Sequence, residues 1–202
     1  MLAPVDAPIE HSHDELERVD AAVKVAIEDA AMAPFHYDRG SDGIPEPWRF
    51  YILEQDKCRF LSRKLGDWFS DMKPSNKLPS MLADCAQLVL ITWKPQFPGL
   101  QDSKQLQIDE EHLAATAAAT QNFLLSLTAS DFATYWSSGG YFRTPSVFEK
   151  LGIPQSERLL AAIFINPKDQ PNDTEVIPGK LREERSSPEF WVRKLMANSS
   201  SD

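Results

Sequence analysis

Glu110-Glu-His-Leu-Ala-Ala-Thr-Ala-Ala-Ala-Thr-Gln-Asn-Phe-Leu-Leu-Ser-Leu-Thr128 is the stretch on which the architecture of this chain turns. It is rich in alanine, free of glycine and proline, and apolar on almost every side, which predicts a long helix. A helix apolar all round belongs in the centre of a molecule or in a subunit interface. Immediately ahead, Pro95 to Gln107 reads as a polar connection, and before it Gln87-Leu-Val-Leu-Ile-Thr-Trp93 is a nearly continuous apolar run. That run has the pattern of a strand buried on both faces. Behind the helix, Ala133-Thr-Tyr-Trp136 reads as extended, Ser137-Ser-Gly-Gly140 as a loop and Ser146–Leu151 as a short helix. Leu159-Leu-Ala-Ala-Ile-Phe-Ile165 is a further strand, closed by Asn166-Pro167.

Nearer the N-terminus, Ser12-His-Asp-Glu15 has the form of a capping box. It precedes Leu16, Val19, Val23, Ala26, Ile27 and Ala30 at helical spacing, predicting a helix over 13–32. Pro34 ends it, and Pro34 to Pro47 carries loop chemistry. Trp48-Arg-Phe-Tyr-Ile-Leu53 reads as a strand. Residues 56–70 form an amphipathic helix, Met72–Pro79 a loop, and Ser80–Cys85 a short turn of helix. Beyond the last strand, 168–187 is polar and proline-bearing, and Ser187-Pro188 offers an N-cap and first-turn proline for a closing helix through Met196. The order is that of an α/β or α+β domain with few strands, without repeats.

Composition narrows the function classes. The 202 residues carry 21 Lys+Arg against 30 Asp+Glu, a formal net charge of −9, with 42% hydrophobic and 25% charged residues. A globule of this mass buries roughly 70% of its unfolded surface, so a core needs no metal or disulfide. The acidic balance disfavours nucleic acid, whose phosphates need clustered Lys and Arg. No window approaches the ~18 to 20 apolar residues of a membrane helix. The first fifteen residues carry His, Asp and Glu where a leader would be basic and then apolar, so a soluble, cytoplasmic protein without membrane partners is expected. Cys58 and Cys85 read as free thiols. His11-x-His13 reads as solvated, His112 as a polar surface residue in the first turn of the long helix, and His36 sits in the loop after the first helix. No GxGxxG, GxxxxGK[ST] or GxSxG motif is present, and no nucleophile, base or metal cluster stands out. An enzyme of this composition would position a cofactor that carries the hard chemistry. Fifteen prolines against eight glycines are unusual, and they cluster near 34–47, 74–79 and 171–188.

Three stretches, in order, resemble the nitroreductase-like family of flavin enzymes. Glu28-Asp-Ala-Ala-Met-Ala-Pro34 followed by Pro45-Glu-Pro-Trp-Arg-Phe50 is similar to that family's helix end, its Asn-x-Gln-Pro-Trp segment and the strand after it. Ala117–Leu127 leading into Ala133-Thr-Tyr-Trp-Ser-Ser-Gly-Gly140 is similar to its central helix and the loop that meets the flavin ring. Leu151-Gly-Ile-Pro154 through Ile165 and Pro167 is similar to its Leu-Gly-x-Pro, strand and closing proline. The resemblance implies an α+β fold, a small mixed or antiparallel sheet wrapped by helices, built as an intertwined homodimer. It implies a single domain over 1–202, with 1–12 as a flexible N-terminus and 168–202 as a tail wrapping the partner. Two FMN molecules would lie at the dimer interface, reduced by NAD(P)H and reoxidised by a small-molecule acceptor such as a nitro compound or quinone.

Carried onto this sequence, the resemblance places Pro34, Phe35, His36, Glu46, Trp48 and the loop Ser137, Ser138, Gly139, Gly140 around the ring. Lys77 would lie near the ring, and Lys180 and Arg182 would hold the FMN phosphate; solvated tail charges are the other reading of that pair. Hydride chemistry would occur at flavin N5, so no catalytic protein residue is implied. The sequence also departs from the family. Phe35 stands where serine is common, and Glu46 replaces a glutamine that can donate as well as accept. Asp131-Phe-Ala133 replaces glycines, and nothing before Leu16 resembles the opening Arg-Arg-Ser-x-Arg-Phe segment. Losing one charge-assisted phosphate contact costs about 1.5 to 3 kcal/mol. The alternative is therefore a nitroreductase-fold protein with weakened or lost flavin binding, acting as a binding or regulatory module. A third reading is a flavin-degrading or dehalogenating enzyme of the same fold.

Overall fold

The computed structural model describes residues 8–38, 43–68, 77–100, 102–168, 181 and 184–195. Chain order is α1 (His13–Ala30), β1 (Trp48–Glu54), α2 (Gln55–Trp68), α3 (Lys77–Asp84), β2 (Gln87–Trp93), α4 (Ser103–Ala129), β3 (Phe132–Ser137), α5 (Pro145–Leu151) and β4 (Arg158–Pro167). The first 170 residues form one compact unit and Pro171–Asp202 another.

Four strands make one sheet in the order β1-β2-β4-β3, antiparallel throughout. The central pair dictates the layering. Every residue of β2 is buried, and β4 is buried along Ala161–Ile165, so both faces of the sheet must be covered. One face carries Trp48, Phe50, Val89, Ile91, Ala161, Ile163 and Ile165 under α1 and α4. The other carries Leu53, Leu88, Leu90, Leu159, Ala162 and Phe164 under α2, α3 and α5. The fold is α+β, with the sheet between two helical layers.

Local chemistry explains most boundaries. The predicted capping box opens α1: Ser12 Oγ accepts from Glu15 N–H at 3.3 Å, and a Glu15 carboxylate oxygen accepts from Ser12 N–H at 2.7 Å. Those Ser12 hydrogen bonds, backbone first and then hydroxyl, lower the Glu15 pKa. Ile9 to Ser12, within the stretch the sequence assigns to a flexible N-terminus, are tied down: Ile9 N–H donates to Asp84, and Arg59 donates to the Ile9 carbonyl at 2.8 Å. His11 is correspondingly buried, 8% exposed, with Nε2 3.0 Å from the Asp84 carbonyl, whereas His13 is solvated and pairs with Glu17.

The long helix begins earlier than the sequence reading places it, at Ser103 rather than Glu110. Asp102 caps it by accepting from Gln105 N–H at 2.8 Å, and Gln105 returns the bond to the Asp102 N–H, a capping box hidden in a stretch read as a polar connection. His112 consequently lies deep in the helix and is 1% exposed, not on the surface in the first turn. Small residues let α4 approach α1: Ala115, Thr116, Ala119 and Thr120 are buried on α4, as are Val19, Val23, Ala26 and Ala30 on α1. The two threonines satisfy their hydroxyls within the helix, donating to the carbonyls four residues back at 2.8 Å. The other side of α4 exposes Leu106, Leu113 and Leu125, so among the described residues the helix is covered on one face.

Between α4 and β3 the chain turns through Asp131 at φ 60°, a left-handed conformation that glycine adopts freely and aspartate tolerates. Lys168 holds this turn, its N–H on the Asp131 carbonyl and its ammonium 3.2 Å from the carboxylate. Two other expectations shift. The helix predicted over Ser80–Cys85 runs Lys77–Asp84 and accommodates Pro79 in its first turn. The predicted closing helix is only a 3-10 turn, Pro188–Phe190, because Phe190, Trp191, Val192 and Leu195 stay exposed and give it no packed face.

Phe123 on α4 is fully buried and meets Phe50 edge-on at 5.4 Å between ring centres. Phe123→Ala is expected to lower the unfolding free energy by about 3 to 5 kcal/mol in urea denaturation, and a loss below about 1 would place the residue outside the core.

Candidate functional site

The predicted site residues gather at two places. The first is where α1 hands over to β1. Ala33 is buried and anchors the turn, leaving Pro34 and His36 exposed and Phe35 half-buried. Phe35 packs edge-on against Trp48 at 5.7 Å between ring centres and 86° between planes. The carbonyl of Glu46 accepts from an Arg49 guanidinium nitrogen at 2.8 Å, and the same nitrogen reaches the Trp48 carbonyl at 2.6 Å, which fixes the entry into β1. Beside this patch Tyr37 meets His112 edge-on at 6.4 Å. His112 Nε2 lies 2.8 Å from the Gln96 side-chain oxygen, and Gln96 N–H donates to Asp109 at 2.6 Å. Buried Asp109 and His112 thus stitch the chain after β2 onto α4.

The second place is β3 and the loop that leaves it. Lys77, at the start of α3, holds its ammonium 4.9 Å from the centre of the Tyr135 ring and 3.5 Å from its hydroxyl. Ser137 Oγ accepts from Gly139 N–H at 3.2 Å. Gly139 is buried with φ +94°, and a Cβ there would sit 2.2 Å from the Leu159 Cδ2. Gly140 also has positive φ, +44°, but faces open space. Arg143 clamps the loop to β4, donating to the carbonyls of Ser138 at 2.6 Å, Leu159 at 2.8 Å and Leu160 at 3.2 Å. The geometry thus leaves a backbone-lined loop with a cation and an aromatic ring nearby.

These groups occupy opposite edges of the sheet. Three inter-strand steps separate β1 from β3, roughly 14 Å at ~4.8 Å each. They also face opposite ways: Trp48 packs into the α1–α4 layer, whereas Tyr135 stands against Phe164 on the other face, 6.3 Å between ring centres. Lys180 and Arg182 lie outside the described residues. Among the described residues no group of three or more His, Cys, Asp or Glu could hold a metal ion, and no helix is long and apolar enough to cross a membrane.

Comparison with known proteins bears on the family and the fold. The family model described as the Nitroreductase family matches residues 17–165. The chain belongs to the nitroreductase family. Its fold is found in a nitroreductase-like family protein from Bacillus cereus, 18% identical, with a TM-score of 0.59 and coverage of 91% of this chain and 90% of that one. A protein from Desulfovibrio desulfuricans, in complex with FMN, is 16% identical, with a TM-score of 0.54 over 95% and 89% of the two chains. The nitroreductase CinD from Lactococcus lactis, in complex with chloramphenicol, is 15% identical, with a TM-score of 0.59 over 93% of each chain. A nitroreductase-like fold built on one antiparallel sheet is therefore established for this chain.

Sequence reading does not find every group at the site. It misses Tyr135 and Arg143, and it misses a clamp across three strands. Glu157, just before β4, accepts from the Tyr51 hydroxyl at 3.0 and 2.9 Å on its two oxygens and also from the Thr92 hydroxyl. Burial first, then the hydrogen bond and charge of Glu157, push the Tyr51 phenol well above its usual range.

Two outcomes follow for this nitroreductase-family chain. Gly139→Ala should lower thermal stability more than Gly140→Ala, by about 1 to 3 kcal/mol, because it adds a collision with Leu159 to backbone strain; equal losses would remove the close approach. For Tyr51, a folded-state pKa above the unfolded 10.0 means stability is intact below pH 10 and declines as pH rises beyond it. Tyr51→Phe should flatten that decline in alkaline denaturation curves, and an unchanged slope would exclude the clamp.

Proposed function

We propose that this protein is an FMN-dependent oxidoreductase, working as a homodimer, that takes electrons from NAD(P)H and delivers them to a nitro compound, a quinone or a related small acceptor. The observation that carries this reading is the division of the site residues between opposite edges and faces of the sheet. Two protomers related by a twofold axis could each contribute one half, so that Pro34, Phe35, His36, Glu46 and Trp48 of one meet Lys77 and Ser137, Ser138, Gly139, Gly140 of the other. The exposed apolar side of α4, with Leu106, Leu113 and Leu125, is the kind of surface a dimer covers.

The residues suit a planar cofactor. Bare backbone at Gly140, which faces open space, permits close approach to a ring, and Arg143 holds the loop in place by its bonds to Ser138 and Leu159. The ammonium of Lys77 would face the electron-rich end of a flavin, and Lys180 with Arg182 would hold its phosphate. Bound FMN supplies the hydride acceptor and donor at N5. The protein would orient the ring, and half-buried Phe35, backed by buried Trp48, would shield one side of it from water.

One observation favours a second reading, a flavin-free binding module. Nothing before Leu16 resembles the family's opening Arg-Arg-Ser-x-Arg-Phe segment, and Ile9 and His11 in that stretch are engaged with Arg59 and Asp84. Titration of the full-length protein with FMN separates the two. The redox reading expects saturable binding, visible flavin absorption bleached by NADH or NADPH, and about a ten- to hundredfold loss of FMN affinity in Lys180→Ala/Arg182→Ala. Absence of binding at high FMN concentration would leave the second reading standing.

A further inference from the structure

A cavity of about 460 Å³ opens between β1, α2 and the end of α5, within the size range of small-molecule sites. Its walls are Tyr51, Leu61, Phe60 and Trp68, and its charged lining residues are Lys57 and Lys150. Phe60 and Trp68 stand edge-to-face at 6.4 Å between ring centres. The Lys57 ammonium lies 6.0 Å from the centre of Phe60, and the Lys150 ammonium 5.0 Å from the centre of Trp68. Each ring of the aromatic pair therefore has one cation beside it.

The cations are conspicuous for their partners. On a chain of net charge −9, Lys24, Lys64 and Lys168 each lie within 3.3 Å of an aspartate. Lys57 and Lys150 make no ion pair with a described carboxylate, and their recorded partners are the rings of the cavity. Both lysines are exposed, so each ammonium can leave its ring to donate a charge-assisted hydrogen bond to a carboxylate. The lining residues include no arginine, the side chain that grips phosphate bidentately. Three ring faces and two mobile point charges match a flat apolar body bearing one carboxylate.

We propose that this cavity binds a small aromatic carboxylate, its ring system lodged among Tyr51, Phe60 and Trp68 and its carboxylate held by Lys57 and Lys150. The site is separate from both groups of predicted flavin contacts. It lies on the α2–α5 side of β1, whereas Trp48 packs on the other face, and Tyr135, against which Lys77 of α3 lies, belongs to the opposite edge strand. It stands whether or not the chain binds FMN.

The probe is 2-naphthoate, titrated calorimetrically into the full-length protein. Saturable binding of one equivalent per chain is expected, with the neutral analogue 2-naphthalenemethanol about tenfold weaker or more. Lys57→Glu/Lys150→Glu should weaken naphthoate about tenfold or more while leaving the alcohol unchanged, and Phe60→Ala should weaken both. Lys57→Gln/Lys150→Gln serves the same purpose if charge reversal disturbs the far-ultraviolet circular dichroism. Absence of saturable binding, equal affinity for acid and alcohol, indifference to the lysine substitutions, or displacement of naphthoate by excess FMN would each overturn the proposal.

Discussion

Two adjacent strands with no solvent-facing side govern this molecule. β2 and β4 are buried above and below, so the chain must supply a helical layer to each face, and it does so with α1 and α4 on one side and α2, α3 and α5 on the other. Covering both faces leaves only the rims for chemistry: the edge strands β1 and β3 and the loops that enter or leave them. Both clusters of predicted site residues sit on such rims. Their separation is a direct result of strand order, since the two edges of an antiparallel sheet cannot approach each other unless the sheet closes.

The strands were the most legible part of the fold, because a doubly buried strand writes itself as an uninterrupted apolar run, and Gln87–Trp93 and Leu159–Ile165 do so. The start of α1 was equally plain, since Ser12 and Glu15 form a cap from residues three apart. The start of α4 carries the same kind of signal in Asp102 and Gln105, yet the polarity around it masks the helix. That error also misplaced His112, because a shifted start changes the depth of every later residue. The closing helix was suggested by Ser187-Pro188, but a cap fixes only where a helix could begin; without apolar cover such a segment does not propagate.

At the candidate site, legibility follows sequence distance. Gly139 and Trp48 belong to short local motifs, and both hold constrained positions, one in a left-handed turn pressed against Leu159 and the other against Phe35. Tyr51, Thr92 and Glu157 meet only because strand register brings distant residues together: 106 positions separate Tyr51 from Glu157, and 65 separate Thr92 from it. Lys77 and Tyr135 are likewise 58 apart. No spacing rule along one chain encodes such pairs; they become visible once the sheet is assembled.

The register of β4 carries an irregularity whose effect reaches the glycine loop. Opposite β2, Ile91 pairs with Ala161 while the next residue, Thr92, pairs with Leu159, so Leu160 has no counterpart. This extra residue puts β4 out of phase with itself: Leu159 joins the same layer as Ala162 rather than the opposite one, and there it forms the floor beneath Gly139. Deleting Leu160 would make Ile91–Ala161 and Thr92–Leu159 consecutive pairs of a regular ladder, with Leu159 still in the layer of Ala162 and still beneath Gly139. The bulge thus absorbs one residue without moving its neighbours, and what the glycine loop depends on is the side chain of Leu159.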